Sequence, residues 1–154
     1  MNLADDELYI TRSFDAPVSL VFSIWEKAEH FVQWLGPRDF RCTGAQLDFR
    51  PGGEWSASMF APSYGERHMG GRYVEIERDR RIVYTHVWRD SLEFAGVETL
   101  VTVTFRDHGG KTIQTFHQQR FKDVDARDAH IVGWSECFDC AQKYLERLAR
   151  GARP

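Results

Sequence analysis

Glu75 and His86 are the two residues of this chain that are best suited to moving protons. Each lies in a stretch whose side chains alternate in character, so we predict each on a β-strand and the two strands as neighbours. A carboxylic acid beside an imidazole in an apolar pocket could catalyse enolisation, dehydration or cyclisation. Such pairs also occur in purely structural networks, where Glu75 would be a satisfied polar residue that shapes the pocket. The sequence leaves both interpretations open, and we favour the structural one.

The other reactive residue types indicate neither a metal centre nor a redox site. Cys137 and Cys140 form a C-x-x-C pair, but a structural zinc site needs four ligands and Cys42 does not supply a second pair. A thioredoxin-like pair belongs at a helix start, whereas this pair is predicted within a helix. The histidines show no H-x-H or H-E-x-x-H spacing. We therefore predict no metal and no cofactor.

Glycine pairs offer no phosphate cradle either. Gly52-Gly53 and Gly109-Gly110 stand among turn residues. The pair at 70–71 lies inside a predicted strand and is interpreted as a bulge or a close approach of two backbones.

Composition and charge are typical of one globular cytoplasmic domain. Hydrophobic residues make up 42% of the 154 residues, charged residues 28%, and the net charge of −3 is spread over both signs. These values favour neither nucleic acid nor an anionic membrane as a partner. Three cysteines are not a disulfide framework, no segment is long enough to span a membrane, and residues 1–7 lack signal-peptide features. We predict a single domain over 1–154, with its core at about 8–149; a homodimer is compatible with the sequence.

The predicted elements that position these residues form an α+β arrangement. Residues 8–14 alternate and predict a first strand, Pro17 begins a short helix, and a second short helix covers 29–34. The period then changes to two, and the short turns between segments permit only hairpins, so the sheet is an antiparallel meander. Its strands are predicted at Phe40–Phe49, Glu54–Phe60, Arg67–Glu77, Ile82–Trp88, Val97–Arg106 and Thr112–Gln118.

The last third of the chain predicts one long helix that packs on the sheet. Aspartates cluster at its start and basic residues near its end, which complements the helix dipole. Apolar residues recur every three or four positions and must be buried against the only large surface available. This stripe consists of Ile131, Trp134, Phe138, Ala141, Leu145 and Leu148.

Side-chain alternation predicts which residues of the strands face this helix. In the strand at 82–88 two sets compete, and we choose the larger side chains because the concave side of a curved sheet offers more room. An error of one residue would reverse that strand. The predicted inward sets are Trp55, Ala57 and Met59; Ile82, Tyr84, His86 and Trp88; and Thr99, Val101, Val103 and Phe105.

Six short motifs, in order along about residues 8–149, resemble one known family. They are SFDAP at 13–17, QWLGP at 33–37, RPGGEW at 50–55, GRYVEI at 71–76, RIVYT at 81–85 and GW at 133–134. They are similar to the AHSA-type (activator of heat-shock-protein ATPase homologue-like) bacterial branch of the SRPBCC, or START-like, superfamily. The resemblance implies a helix-grip fold, in which a curved antiparallel sheet wraps around a long C-terminal helix with a hydrophobic cavity between them.

What the resemblance implies for function is the binding of a small, mainly apolar ligand, such as a lipid-like, aromatic or polyketide-like molecule. Some members are cyclases or dehydratases, which keeps the proton-transfer alternative with Glu75 and His86 open. A co-chaperone or protein-interaction role in the stress response, which the family name suggests, ranks lowest. The eukaryotic activator carries an additional domain that engages the chaperone, and this chain is predicted to have only one domain.

Two positions depart from the family pattern. His86 stands where relatives often carry a bulky apolar residue, and Gln114 stands where leucine is usual, so an inward pair would make this cavity more polar than in its relatives. A buried polar group without a partner costs on the order of 1–3 kcal/mol, so each would need a partner in the protein or a ligand. Alternatively, Gln114 pairs with nearby backbone or faces solvent. The candidate ligand-binding residues are Trp25, Trp34, Trp55, Met59, Tyr73, Glu75, Tyr84, His86, Trp88, Val101, Val103, Gln114, Phe116, Trp134 and Phe138.

Overall fold

A seven-stranded antiparallel sheet and one long helix make up most of the computed structural model, which describes residues 4–89 and 96–151. Residues 1–3 and 152–154 lie outside the described residues, and the first three belong to the segment 1–7 that was examined for signal-peptide features. The predicted α+β, helix-grip architecture is confirmed. The strands are β1 (Glu7–Phe14), β2 (Arg41–Leu47), β3 (Glu54–Ala61), β4 (Gly65–Glu77), β5 (Arg81–Trp88), β6 (Glu98–His108) and β7 (Lys111–Gln119), and the helices are α1 (Val18–Glu26), α2 (Ala28–Phe31) and α3 (Val124–Ala149).

The strand order, β1-β7-β6-β5-β4-β3-β2, contains the predicted meander from β2 to β7. The first strand joins the far edge by pairing with β7, from Glu7 opposite Gln119 to Phe14 opposite Thr112. Since β1 and β2 are opposite edges, the segment between them has to cross the sheet. This crossing brings α1 against β6 and β7 and α2 against β2. The two short helices therefore close one side of the space that the sheet and α3 enclose.

Alternation identified the inward face of the central strands correctly. Thr99, Val101, Val103 and Phe105 of β6 are buried, as a strand with one face on the core requires. In β5 the larger set does point inward: Ile82, Tyr84 and His86 are buried, and Trp88 is partly buried.

The long helix begins where the acidic cluster predicts. Asp123 is its N-cap, and its side chain accepts a hydrogen bond from the backbone N–H of Ala126 at 2.8 Å. Four predicted stripe residues, Trp134, Phe138, Ala141 and Leu145, are buried, and Leu148 is partly buried.

The prediction for the first turns of α3 is wrong at Ile131. That residue is 36% exposed, whereas His130 is 8% exposed and takes the inward place. The buried positions 126, 130 and 134 follow each other every four residues, so the stripe is slanted relative to the predicted one. A histidine can occupy this stripe because both of its ring nitrogens have hydrogen-bond partners, which offset the loss of water.

A close backbone approach explains the glycine pair in β4. A Cβ atom on Gly71 would lie 1.9 Å from the carbonyl oxygen of Thr85, so no other residue fits without moving β5. The same carbonyl accepts the indole N–H of Trp55 at 2.9 Å. The glycine therefore lets the two strands approach where a core tryptophan is anchored.

Within residues 4–89 and 96–151, no helix combines the length and apolarity needed to cross a membrane.

Candidate ligand-binding site

Aromatic side chains fill the space between the concave face of the sheet and the three helices. The ring centroids of Phe116 and Trp134 are 4.7 Å apart, those of Trp25 and Trp34 are 4.8 Å apart, and Trp25 and Phe116 stack at 6.2 Å. The structure brings most of the predicted wall together as one buried cluster. Its buried members are Trp25, Trp34, Trp55, Met59, Tyr73, Tyr84, Val101, Val103, Phe116, Trp134 and Phe138.

All five tryptophans donate their indole N–H to an identified acceptor. Each ring is thereby held in one orientation, and its polar atom is satisfied inside the apolar interior. The donations run from Trp25 to Gln114 Oε1 (2.9 Å), Trp34 to the Ile24 carbonyl (2.9 Å), Trp55 to the Thr85 carbonyl (2.9 Å), Trp88 to His130 Nε2 (2.9 Å) and Trp134 to Gln118 Oε1 (2.8 Å).

Two small voids of about 10 Å³ each lie among the described residues of the interior. A space of this size holds at most about one water molecule. The tyrosine void is lined by Trp25, Phe31, Trp55, Tyr73, Ile82 and Tyr84. The histidine void is lined by His86, Trp88, Val97, Thr99, Phe121, Lys122, Ala126 and His130.

His86 is the most unusual residue of the interior. It is 1% exposed, and its Nε2 has no hydrogen-bond partner among the residues that the structure describes. The rings of Trp55, Trp88, His130 and Trp134 surround it, with centroids 5.2–6.3 Å away. Burial, reinforced by the neighbouring His130, lowers the pKa of His86 to about 3. The imidazole is therefore neutral at physiological pH.

His130, on α3, is held on both sides of its ring. Its Nδ1 donates to the carbonyl of Ala126 at 2.7 Å, and its Nε2 accepts the indole N–H of Trp88 at 2.9 Å. This pairing requires the neutral tautomer with the proton on Nδ1. Burial lowers the pKa of His130 as well.

Two glutamines of β7 differ in how fully they are paired. Gln118 uses both ends of its amide, accepting from Trp134 and donating to Thr99 Oγ1 at 2.8 Å. Gln114 accepts from Trp25, but its Nε2, also buried, has no partner in the described part of the chain. The alternative that Gln114 faces solvent is wrong, since the residue is 1% exposed.

The prediction that Glu75 points inward beside His86 is wrong. Its side chain is 44% exposed, and its Oε2 lies 3.8 Å from Nε of Arg81. The register between β4 and β5 shifts between Tyr73 and Glu75. A bulge of this kind inserts one residue and breaks the alternation of faces, so Tyr73 is buried and Glu75 is not. The geometry thus separates the carboxylate from the imidazole and gives no support to a Glu75–His86 acid–base pair.

The two cysteines of the C-x-x-C pair on α3 differ in burial. Cys137 is buried, its Sγ accepts the backbone N–H of Gly36 at 3.3 Å, and burial raises the pKa of its thiol to about 12. Cys140 is exposed. In the described ranges, no three His, Cys, Asp or Glu side chains are placed to hold a metal ion together.

Three residues of the interior, Gln118, His130 and Phe121, were not predicted as part of the site. Gln118 shares its strand and its face with Gln114 and Phe116, so alternation alone could have identified it. His130 precedes Trp134 by one helical turn, but the adjacent Ile131 is more apolar and was predicted in the buried stripe instead. Phe121 follows the last strand, outside any periodic segment, and only the packing reveals that it is buried.

Comparisons with known proteins agree with this architecture. A protein from Chromobacterium violaceum superimposes with a TM-score of 0.83 at 23% identity, covering 93% of this chain and 99% of that one. A protein from Nitrosomonas europaea gives 0.81 at 19% identity, covering 97% and 99%. The AHSA1 protein from Silicibacter pomeroyi gives 0.81 at 19% identity, covering 91% and 97%.

A search of curated proteins finds no match. A family model described as "Activator of Hsp90 ATPase homolog 1-like protein" matches residues 15–146, which include α1, all strands from β2 to β7 and most of α3. The chain therefore belongs to the family of Activator of Hsp90 ATPase homolog 1-like proteins.

Proposed function

We propose that this protein binds a small, mainly apolar molecule between the sheet and α3. The observation that carries the proposal is the pair of unpartnered buried atoms, His86 Nε2 and Gln114 Nε2, in an interior otherwise made of rings. An unsatisfied buried polar atom costs about 1–3 kcal/mol. A ligand with polar groups at matching positions would remove that cost, while the rings would bind its apolar body.

The size of the voids indicates how such a ligand would bind. Pockets for small molecules usually measure about 300–1,000 Å³, and the two voids here are about 10 Å³ each. A molecule of ordinary ligand size that enters at either of these voids therefore has to move the surrounding rings apart. A ligand that binds in this way favours a conformation of the folded protein in which the interior is open. It stabilises the protein only to the extent that it binds this conformation more tightly than the others.

Mass spectrometry of natively extracted protein tests the proposal directly. We expect a small apolar molecule to co-purify in stoichiometric amount and to be released on denaturation. In a thermal-unfolding screen of apolar compounds, a ligand present at 100 times its dissociation constant stabilises by about 2.7 kcal/mol. For a domain of this size, that is a rise of roughly 5–11 °C in melting temperature.

A matched pair of variants locates the binding. Val101 is fully buried on β6, and Val74 is 53% exposed on β4. We expect Val101→Phe to abolish the ligand-induced shift by filling the interior, and Val74→Phe to keep it, with circular dichroism showing that both are folded. A screen that yields no shift, no change in tryptophan emission and no co-purified molecule would refute the proposal.

A further inference from the structure

We infer that the ligand presents a hydrogen-bond acceptor, such as a carbonyl oxygen, to the side-chain amide nitrogen of Gln114. This inference rests on the proposed function and specifies one polar group of the ligand. It follows from the orientation of one amide and from the chemistry of the side chains that surround it.

The orientation of the Gln114 amide is fixed by its partner. The indole nitrogen of Trp25 lies 2.9 Å from Oε1 of Gln114. An indole N–H can only donate, so the end of the amide that faces Trp25 has to be the oxygen. The other end is therefore the NH2 group, which can only donate as well. This nitrogen is buried and has no hydrogen-bond partner among the described residues, so what it lacks is an acceptor.

The cross-strand neighbours of Gln114 offer it no side-chain acceptor. On β6 it faces Phe105, whose ring is buried, and on β1 it faces Arg12. Residues directly opposite each other in an antiparallel pair share one face of the sheet. The guanidinium of Arg12 carries donors only, and it already donates to Asp139 Oδ1 at 2.9 Å and to the carbonyl oxygen of Ser135 at 3.0 Å. Neither neighbour can therefore accept a hydrogen bond from the amide.

The second glutamine of the strand shows what is missing. Gln118 accepts the indole N–H of Trp134, and its own amide nitrogen donates to Thr99 Oγ1 at 2.8 Å. Gln114 repeats the contact between an indole and an amide oxygen with Trp25. Only the acceptor for the amide nitrogen has no counterpart, and this is the position that a ligand would occupy.

The amide also lies beside a space that a ligand can enlarge. Trp25, which holds the oxygen of Gln114, is part of the lining of the tyrosine void. A ring that moves the walls of this void apart would lie against Trp25, with an attached oxygen at the amide. A carbonyl oxygen supplies the acceptor without bringing a donor that would need a partner of its own.

Two probes test the inference, because 1-tetralone differs from tetralin only by a carbonyl in place of a methylene group. A ketone is better hydrated than a hydrocarbon, so the quantity to compare is the ratio of the two dissociation constants in each variant. Calorimetric titration of the full chain at neutral pH measures both constants. Gln114→Leu removes the donor and leaves a bound carbonyl without its partner, so the preference for 1-tetralone over tetralin should fall about tenfold.

The matched control is Gln142→Leu, an exposed position on α3, which should keep the ratio of the unmodified chain. A second measurement needs no variant. In nuclear magnetic resonance spectra of the unmodified chain, 1-tetralone should move the side-chain N–H resonances of Gln114 further downfield than tetralin does, as a new hydrogen bond requires.

The outcomes separate this inference from the proposed function. The same ratio in the unmodified chain and in Gln114→Leu overturns the inference and leaves the proposed function intact, as do Gln114 resonances that respond equally to the two probes. Binding of neither probe also overturns the inference, whereas the proposed function fails only if the compound screen and the mass spectrometry find no ligand.

Discussion

The tyrosine void and the histidine void have the same volume but different chemistry. Six aromatic or aliphatic residues line the first, whereas the lining of the second combines four apolar residues with two imidazoles, a threonine and a lysine. An empty space between rings loses only dispersion contacts. A space beside a buried polar atom without a partner also carries the cost of an unmade hydrogen bond. Equal volumes therefore have unequal consequences, because of the two only the histidine void is lined by a described residue with an unpartnered buried nitrogen, His86.

A row of ring contacts through Trp134 and Phe116 links the two voids. The ring of Trp134 lies 6.1 Å from His86, which lines the histidine void, and 4.7 Å from Phe116, which stacks on Trp25 of the tyrosine void. The difference between the two voids can therefore be tested by substitution in three places: the aromatic wall at Trp134, the imidazole of His86, and the two glutamines Gln114 and Gln118.

Removing the wall should have the largest effect. Trp134 is 6% exposed, so we expect Trp134→Ala to lower the free energy of unfolding by about 3–5 kcal/mol through the cavity that it leaves. Denaturant unfolding measures the loss. Val132, 59% exposed on the same helix, provides the control, and Val132→Ala should change stability by no more than about 0.5 kcal/mol. A small loss for Trp134→Ala would show that this ring does not stabilise the core as its burial predicts.

The imidazole should make stability depend on pH. The folded pKa of His86 is about 3, below the ordinary value of 6.5, so between these values the unfolded chain binds a proton that the folded chain does not. Its contribution is complete above pH 6.5 and declines as the pH falls toward 3. Lowering the pH from 7 to 5 should therefore remove about 2 kcal/mol through His86.

Urea unfolding at the two pH values measures this loss. His130, whose pKa is also lowered, adds in the same direction, so the test is the difference between variants. His86→Phe should lose less stability on acidification than the unmodified chain, by about 2 kcal/mol. The exposed-site variant His108→Phe should behave like the unmodified chain. Identical pH profiles for the first variant and the unmodified chain would show that His86 is not held neutral.

The two glutamines, Gln114 and Gln118, should give the smallest difference in stability. Gln118→Leu deprives Trp134 of its acceptor, and Gln114→Leu deprives Trp25 of its acceptor. Only the second change also removes an amide nitrogen that is already unpartnered. We therefore expect Gln118→Leu to destabilise more than Gln114→Leu, by about 1 kcal/mol. Equal losses in denaturant unfolding would indicate that the Gln114 amide is satisfied in solution.

Much of the fold could be predicted from the sequence because its signals are local. Turn residues between alternating segments indicated the hairpins from β2 to β7, and an acidic cluster marked the start of α3. The inward face of β6 followed from alternation, since a period of two leaves few choices once one face is apolar. The family motifs supplied the helix-grip arrangement that these patterns alone did not name.

The candidate site depended on the sequence for its residue types and on the tertiary structure for its geometry. The alternating pattern of β5 indicated that His86 points inward, but a one-residue shift of register turned Glu75 to the surface, and no local pattern reveals such a bulge. Likewise, Ile131 was the more apolar choice, and only the hydrogen bonds to the Ala126 carbonyl and from the Trp88 indole allow His130 to be buried instead. Periodicity determines which side chains can face the interior. Which of their polar atoms find a partner there depends on contacts between residues far apart in the chain, and so only the folded structure decides it.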